Sequence, residues 1–299
     1  MGRLMTTAAE ESPFRRFLSE FAASKIALGG LIVFTIIALA AIFANWIGPQ
    51  NPYDLAQLDI MDGRLPPGSK SGAGYTYLLG TDDQGRDMFS GMLFGLRISL
   101  AVGVGSAIFA ACVGTTLGLL AAFFGRRTDA IIMRVVDLQL SFPSILVALM
   151  ILAVLGKSVM NVVLALVIVD WAGYARNVRG IAMVERKREY IEAAACLALP
   201  WRRIMFGHLL PNCLPPLIVI ATQQVARAIA LEATLSFLGL GVPITSPSLG
   251  LLIANGYQYM LSGKYWISFY PGLALLVTIV SINLVGDHLR DVLNPRLKR

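Results

Sequence analysis

The side chains able to do chemistry are sparse in this sequence, and their spacing argues against an enzyme. Its two histidines, His208 and His288, stand far apart with no His/Cys ligand spacing around them, so no metal cluster is expected. Gly156, Lys157 and Ser158 resemble the tail of a phosphate-binding loop. That motif needs a Gly five residues before the Gly-Lys pair, and position 151 is Ile151. No Ser–His–Asp set and no working pair of carboxylates can be assembled from the spacing. Three charges remain inside or beside apolar stretches: Asp170, Arg227 and Glu232. Charges in lipid are costly and ordinarily face a bundle interior or a water path, so these are candidates for a substrate or proton route. The structural alternative sets Asp170 near the inner interface and lets Arg227 and Glu232 find partners or snorkel. A proton-coupled carrier would place several acids on different spans.

The elements that must position these charges are membrane helices. Hydrophobic residues make up 56% of the chain, charged residues only 14%, and mean hydropathy is +0.68; a soluble domain carries roughly 25% charged residues. Uncharged runs cover 26–48, 98–125, 138–156 and 265–286, while 158–175 holds one charge and 211–241 holds two. Runs near the ~20 residues that cross a bilayer imply six transmembrane helices in one all-α polytopic domain. Lys and Arg alternate between the gaps. Eighteen lie in 1–25, 126–137, 174–210 and the tail from Asp287, against six in the other gaps. Positive loops stay in the cytoplasm, so the expected topology is N-in and C-in. The net charge of +7 follows from this asymmetry and is no sign of nucleic acid. The first run begins too late, after Glu10, Glu11 and Glu20, to be a cleaved signal and reads as an uncleaved anchor. Cys112, Cys196 and Cys213 imply no disulfide framework.

The organisation is then a cytoplasmic segment 1–25, a membrane domain 26–289 and a basic tail 290–299. An outside loop of about 49–97 reads as irregular around "GRLPPGSKSGAGY". Thr81 or Asp82 is a candidate cap for a short helix on the outer face before the second span. Gly91–Gly95 and Gly114–Gly118 are small pairs suited to helix packing. "GVPITSPSLG" reads as a stiff approach to a surface helix, with Trp266, Phe269 and Tyr270 as an interfacial aromatic belt. No internal repeat is visible, so an inverted-repeat carrier gains no support.

One stretch is out of character for so apolar a chain: "REYIEAAACLALPWRRIMFGHLLPN", residues 188–212. Residues 174–210 carry seven Lys and Arg. Good helix formers run from Glu185 to Leu199 and stop at Pro200. Tyr190, Ala194 and Leu197 share one helical face, with Ile191, Ala195 and Ala198 beside them and Glu185, Arg188, Glu189 and Glu192 opposite. The expectation is a short amphipathic helix whose small residues sink into a groove on another protein. Pro200 suits the first turn of a second helix, Trp201–Leu210, with Pro211 before the next span.

This stretch resembles the EAA loop of the permease subunits of binding-protein-dependent ABC importers. Glu192, Ala193, Ala194, Leu210 and Pro211 match its pattern. Ala198 stands where that family has Gly, a residue that takes a left-handed turn freely. "LLGTDDQGRDMFSGMLFGLRISL", "DAIIMRVVDLQLSFPSILVAL", "YARNVRG", "LEATLSFLGLGV" and "YPGLALLVTIVSINLVGDHLRDVLNPRLK" are similar to the dipeptide/oligopeptide/nickel branch, and to the second, C-type permease within it. Leu249 occupies a position that is usually Trp there. The resemblance, from about residue 25 to the end, implies a type I importer transmembrane domain in a bacterial inner membrane. It implies a second permease subunit, two ATP-binding subunits that bind the ATP, and an extracytoplasmic substrate-binding protein. This chain would need no cofactor, metal or catalytic residue. Arg188, Glu189, Tyr190, Ile191, Glu192, Ala193, Ala194, Ala195, Leu197 and Ala198 would form the coupling helix. Peptides are the commonest load of such permeases; nickel chelates, glutathione and opine-like solutes are alternatives, and a stand-alone secondary transporter or channel is the alternative class.

Overall fold

The computed structural model describes residues 13–54, 58–72 and 74–293. The ends of the N-terminal segment and of the basic tail lie outside them. The chain opens with α1 (Pro13–Ala22), α2 (Lys25–Ile42) and α3 (Ala44–Ile47). Ser24 caps α2 by accepting the Ala27 N–H at 3.3 Å. The loop that follows is more ordered than its Pro/Gly content suggests. It holds a 3₁₀ turn (Ile60–Asp62) and a small antiparallel ladder of β1 (Ser69–Lys70) and β2 (Thr76–Tyr77). Asp62 ties the turn to the ladder by accepting from Ser71 Oγ at 3.2 Å, Gly72 N at 3.3 Å and Tyr77 OH at 2.9 Å.

Then comes α4 (Met88–Phe124), one unbroken helix of 37 residues, about 55 Å long at 1.5 Å per residue. The short outer helix expected ahead of the second span is its first turns. Its cap is Asp87, not Thr81 or Asp82: Asp87 Oδ2 accepts from Ser90 N at 2.8 Å and Ser90 Oγ at 2.7 Å. Arg97 does not end the helix, because it reaches Ala41 O at 3.0 Å and Ile42 O at 2.7 Å and so satisfies carbonyls at the end of α2.

The third crossing departs most from expectation. It is two helices, α5 (Arg126–Ser141) and α6 (Ser144–Leu155), bent by 89°. The break falls at Phe142–Pro143, where Phe142 is extended (φ −97°, ψ 141°), as a residue preceding proline prefers. With α6 at 12 residues, about 18 Å, neither piece is an ordinary span. Next are α7 (Val159–Glu185) and α8 (Glu189–Cys196), the latter shorter than its predicted range. Pro200 then precedes α9 (Trp201–Arg203), which passes through a π-helical stretch (Ile204–Leu209) into α10 (Leu210–Phe237) without interruption. The expected separate helix Trp201–Leu210 is thus the base of the fifth span.

The chain ends with α11 (Leu249–Tyr257) and α12 (Trp266–Leu293). α11 was expected on the surface, yet Leu249, Gly250, Leu251, Leu252 and Gly256 are buried between α10, α12 and α4. Trp266 is likewise no belt residue: it is buried and donates to Thr81 O at 3.2 Å.

Among the described residues five helices are long and apolar enough to cross a membrane, and six if the bent pair is one span. The central packing is α4 against α7. A Cβ on Gly114 would sit 2.4 Å from Trp171 O, and one on Gly118 2.6 Å from Ala175 O, so these small residues let the two backbones touch. Phe124, Arg186 and Trp201 meet at one end of the bundle. Thr81, Arg86, Ile244 and Trp266 meet at the other. α12 runs from that second end to the first, where the His288 ring meets that of Phe21 of α1 at a tilt, with centroids 5.1 Å apart. Both described termini therefore lie at the α8 end.

Candidate functional site

The α8 end is built around a two-faced helix. Glu189 and Glu192 lie in its first turn, where the helix dipole favours negative charge. Its inner side is Ile191 and Ala194, each 5% exposed, packed into a core with Tyr174, Val178, Ala182, Ile204, Met205, Leu209 and Cys213. This corrects the sequence reading of Ala194. A small side chain there lets α8 sit close on the π-helical stretch Ile204–Leu209 at the base of the fifth span of its own chain. The outer side is Glu189, Tyr190, Glu192, Ala193, Ala195, Cys196 and Leu197, with Leu197 75% exposed.

The helix stops on an αL turn. Ala198 has φ 53°. Ala198 N donates to Ala195 O at 2.9 Å and Leu199 N to Ala194 O at 3.3 Å, the paired bonds of a Schellman cap. The position that Gly fills in the resembled family thus keeps the same backbone shape with Ala, at a cost of roughly 1–2 kcal/mol. Arg188 precedes the helix and approaches Glu185 at 3.7 Å, and Tyr190 OH donates to Glu185 at 3.1 Å.

Sequence reasoning missed how the seat of α8 is bolted to its neighbours. Arg186 donates to Ala122 O at 2.9 Å and lies over the Phe123 ring at 5.6 Å, satisfying a carbonyl of the last turn of α4. Trp201 packs edge-on against Phe124 at 5.3 Å. Arg176 and Arg179 pair with Asp137 and Asp129 of α5. The spacing of the basic pair (176, 179) and acidic pair (129, 137) was the available signal. These cations hold helices together besides biasing topology.

The three charges picked from the sequence separate into two environments. Glu232 is fully buried and accepts from Ser99 Oγ at 2.7 Å and Ser236 Oγ at 2.8 Å. It joins α4 to α10. Asp170 and Arg227 come together instead. With Gln139, Phe142, Ser144 and Gln224 they line a notch at the break between α5 and α6. Asp170 is 4% exposed. Arg227, which is exposed, donates to Ser144 Oγ at 3.3 Å. Among the described residues no ion pair joins Asp170 to Arg227.

At the opposite end, Asp82 is buried beside Arg86 at 3.4 Å and accepts from Gln84 N at 2.8 Å and Arg86 N at 2.9 Å. Arg86 also reaches Ile244 O at 3.4 Å. Burial raises the Asp82 carboxyl to about 6, offset by Arg86, and raises that of Asp87 as well.

Comparison with known proteins fits this architecture. Residues 114–299 match the family described as binding-protein-dependent transport system inner membrane component. Residues 12–67 match the N-terminal transmembrane domain of oligopeptide transport permease C. The chain is 40% identical to a di/tripeptide transport system permease protein DppC of Pseudomonas aeruginosa (strain UCBPP-PA14), over 96% of this chain and 93% of that protein. It is 40% identical to the dipeptide transport system permease protein DppC of Escherichia coli (strain K12), over 99% and 98%. The fold is similar to a chain of the MetNI methionine ABC transporter in an inward-facing conformation, at 22% identity and TM-score 0.54, over 69% of this chain and 97% of that one. The relatives are transport subunits and not enzymes, and this chain belongs to the inner-membrane permease components of binding-protein-dependent ABC transport systems.

Proposed function

We propose that this chain is one of two permeases in an ATP-driven importer of small peptides. The relatives that span nearly its whole length are named as dipeptide or di/tripeptide permeases, which supports that substrate class over a metal chelate, glutathione or an opine. In this reading α8 lies in the cytoplasm and docks on one of two ATP-binding subunits, which bind and hydrolyse ATP. The end carrying 58–87 and α11 faces the extracytoplasmic binding protein. A second permease completes the path.

The observation that carries the reading is the division of α8. Ile191 and Ala194 fix it to the core at 5% exposure each, while Leu197 stands 75% exposed beside Ala193 and Glu192. An exposed apolar residue on a rigidly seated helix suits a partner's groove. The stand-alone carrier predicts no role for that outer face. Leu197→Asp tests it directly. The variant should insert and assemble with the second permease, yet lose co-purification of the ATP-binding subunits and peptide uptake. Wild-type co-purification and uptake would refute the docking assignment.

A further inference from the structure

The notch at the third crossing has three features that structural packing does not require. First, it holds a carboxylate and a guanidinium that are not paired with each other. Asp170 is 4% exposed with no hydrogen bond to its carboxylate among the described residues, and Arg227 has only Ser144 Oγ at 3.3 Å. Arg227 acts on Asp170 electrostatically but lies beyond ion-pair distance; charge at membrane depth is costly, and this separation leaves room for a ligand that bridges the two. Second, the recess is lined by the break at Phe142–Pro143 and by Ser144, the first residue of α6. Irregular backbone at membrane depth is tolerated where it lines a cavity, and a helix N-terminus favours a negative group. Third, the notch is partly open and its volume is about 30 Å³, room for one or two water-sized groups and hence for a single ammonium beside Asp170, with Arg227 exposed at its rim. It is too small to engulf a solute.

We propose that this notch is a zwitterion subsite in the translocation path. Asp170 receives the terminal ammonium of a peptide in transit, and Arg227, with Ser144 and the start of α6, receives its terminal carboxylate. The assignment rests on the peptide-importer reading above. Peptides of different sequence share only their backbone and their two charged ends, so a path that passes many of them has those ends to hold. A shallow notch holds them weakly, as conduction through a path requires. A proton relay is disfavoured because Glu232 is enclosed by Ser99 and Ser236 and Asp137 and Asp129 are paired with Arg176 and Arg179, so none of these acids offers Asp170 a successor.

The test uses the whole importer in proteoliposomes, with its second permease, ATP-binding subunits and binding protein, and radiolabelled alanyl-alanine. Asp170→Asn and Arg227→Gln should each lower uptake per ATP hydrolysed at least about tenfold, the scale of one charged hydrogen bond. Binding-protein-stimulated ATP hydrolysis should persist and Arg227→Lys should recover part of the uptake. A structural role would instead reduce assembly and hydrolysis together. Gly173→Val supplies an uncharged control. Its Cβ has Gln224 Nε2 as nearest neighbour at 3.7 Å, so the side chain fits while filling the notch, and uptake per ATP should fall equally. If the wild type takes up no peptide, the peptide reading itself has failed and the subsite falls with it. If the wild type transports and Gly173→Val and whichever charge variants assemble keep its ratio of uptake to hydrolysis, the subsite alone is refuted.

Discussion

Ala198 holds the αL conformation that ends α8 (φ 53°), and replacing it by Gly isolates the cost of that turn. The side chain is exposed, so the exchange removes no packing. Ala resists αL by roughly 1–2 kcal/mol. Gly adopts it freely, but loses more backbone entropy on folding, by about 0.5–1 kcal/mol. The difference predicts a gain of about 0.5–1 kcal/mol for Ala198→Gly, a rise of about 1–4 °C in thermal midpoint at the scale of large domains. Ala198→Val should move it the opposite way, since a branched side chain fits αL worse than Ala. The assay is thermal unfolding of the purified complex in detergent, all three forms side by side. A lower midpoint for Ala198→Gly would mean that Ala198 is ordinary helix and that the Schellman cap is absent from the molecule.

Three further outcomes follow from the fold. Ala194→Trp should cost about 1–3 kcal/mol by overfilling the chain's own core, visible as a lower midpoint of the isolated permease without any ATP-binding subunit present; an unchanged midpoint would return Ala194 to the partner surface. Cysteines at the exposed positions Lys70 and Lys187 should label only from outside and only from inside respectively, and the reverse pattern sinks the N-in, C-in assignment. Asp82 and Asp87 are raised by burial, Asp82 from 3.8 to about 6. A folded-state value above the unfolded one means that folding takes up a proton. Stability should therefore rise as pH falls from about 7 to about 4, between the folded and unfolded values. The rise should shrink in Asp82→Asn; an identical pH dependence in the variant would remove Asp82 as its source.

The spans were legible because charge-free runs of near-bilayer length say where a chain lies in lipid. They do not say where helices begin or bend. Arg97 truncated the second span on paper, whereas in three dimensions its guanidinium finds Ala41 O and Ile42 O and the helix passes through it. The third crossing read as one apolar run, since hydropathy carries no direction; "SFPS", with its pre-proline Phe142, was the signal of the break. The short helix Glu189–Cys196 was legible in its pattern, but its facing was not. In an eight-residue helix nearly every position is small or amphipathic, so side-chain type does not tell Ala194 from Ala193. Only the presence of Tyr174, Met205 and Leu209 beneath Ala194 decides which is inside. Asp170 and Arg227 lie on different helices far apart in sequence, and no spacing rule could unite them.

The seat of α8 and the notch share two helices, and this bears on how ATP hydrolysis would reach a peptide. Tyr174 belongs to the core under α8, and Asp170 is one turn earlier on the same helix, about 6 Å away along its axis. The other route runs along α10 from Leu217, the last residue of that core, to Arg227, about 15 Å. α5, whose end forms one wall of the notch, has no residue in that core, but it is tied to α7 through Asp129–Arg179 and Asp137–Arg176. Close-packed interiors transmit displacement and do not absorb it. On the proposed docking, a shift of α8 therefore acts on the π-helical stretch of Ile204–Leu209, its direct neighbour, and on α7 through the shared core; the first movement reaches Arg227 along α10, and the second carries Asp170 and α5. Phe142–Pro143 is the one break in the helices lining the notch, so it is where unequal movement of those helices is relieved. The separation of the two charges, and with it the hold on a zwitterion, is then the quantity that the coupling helix sets.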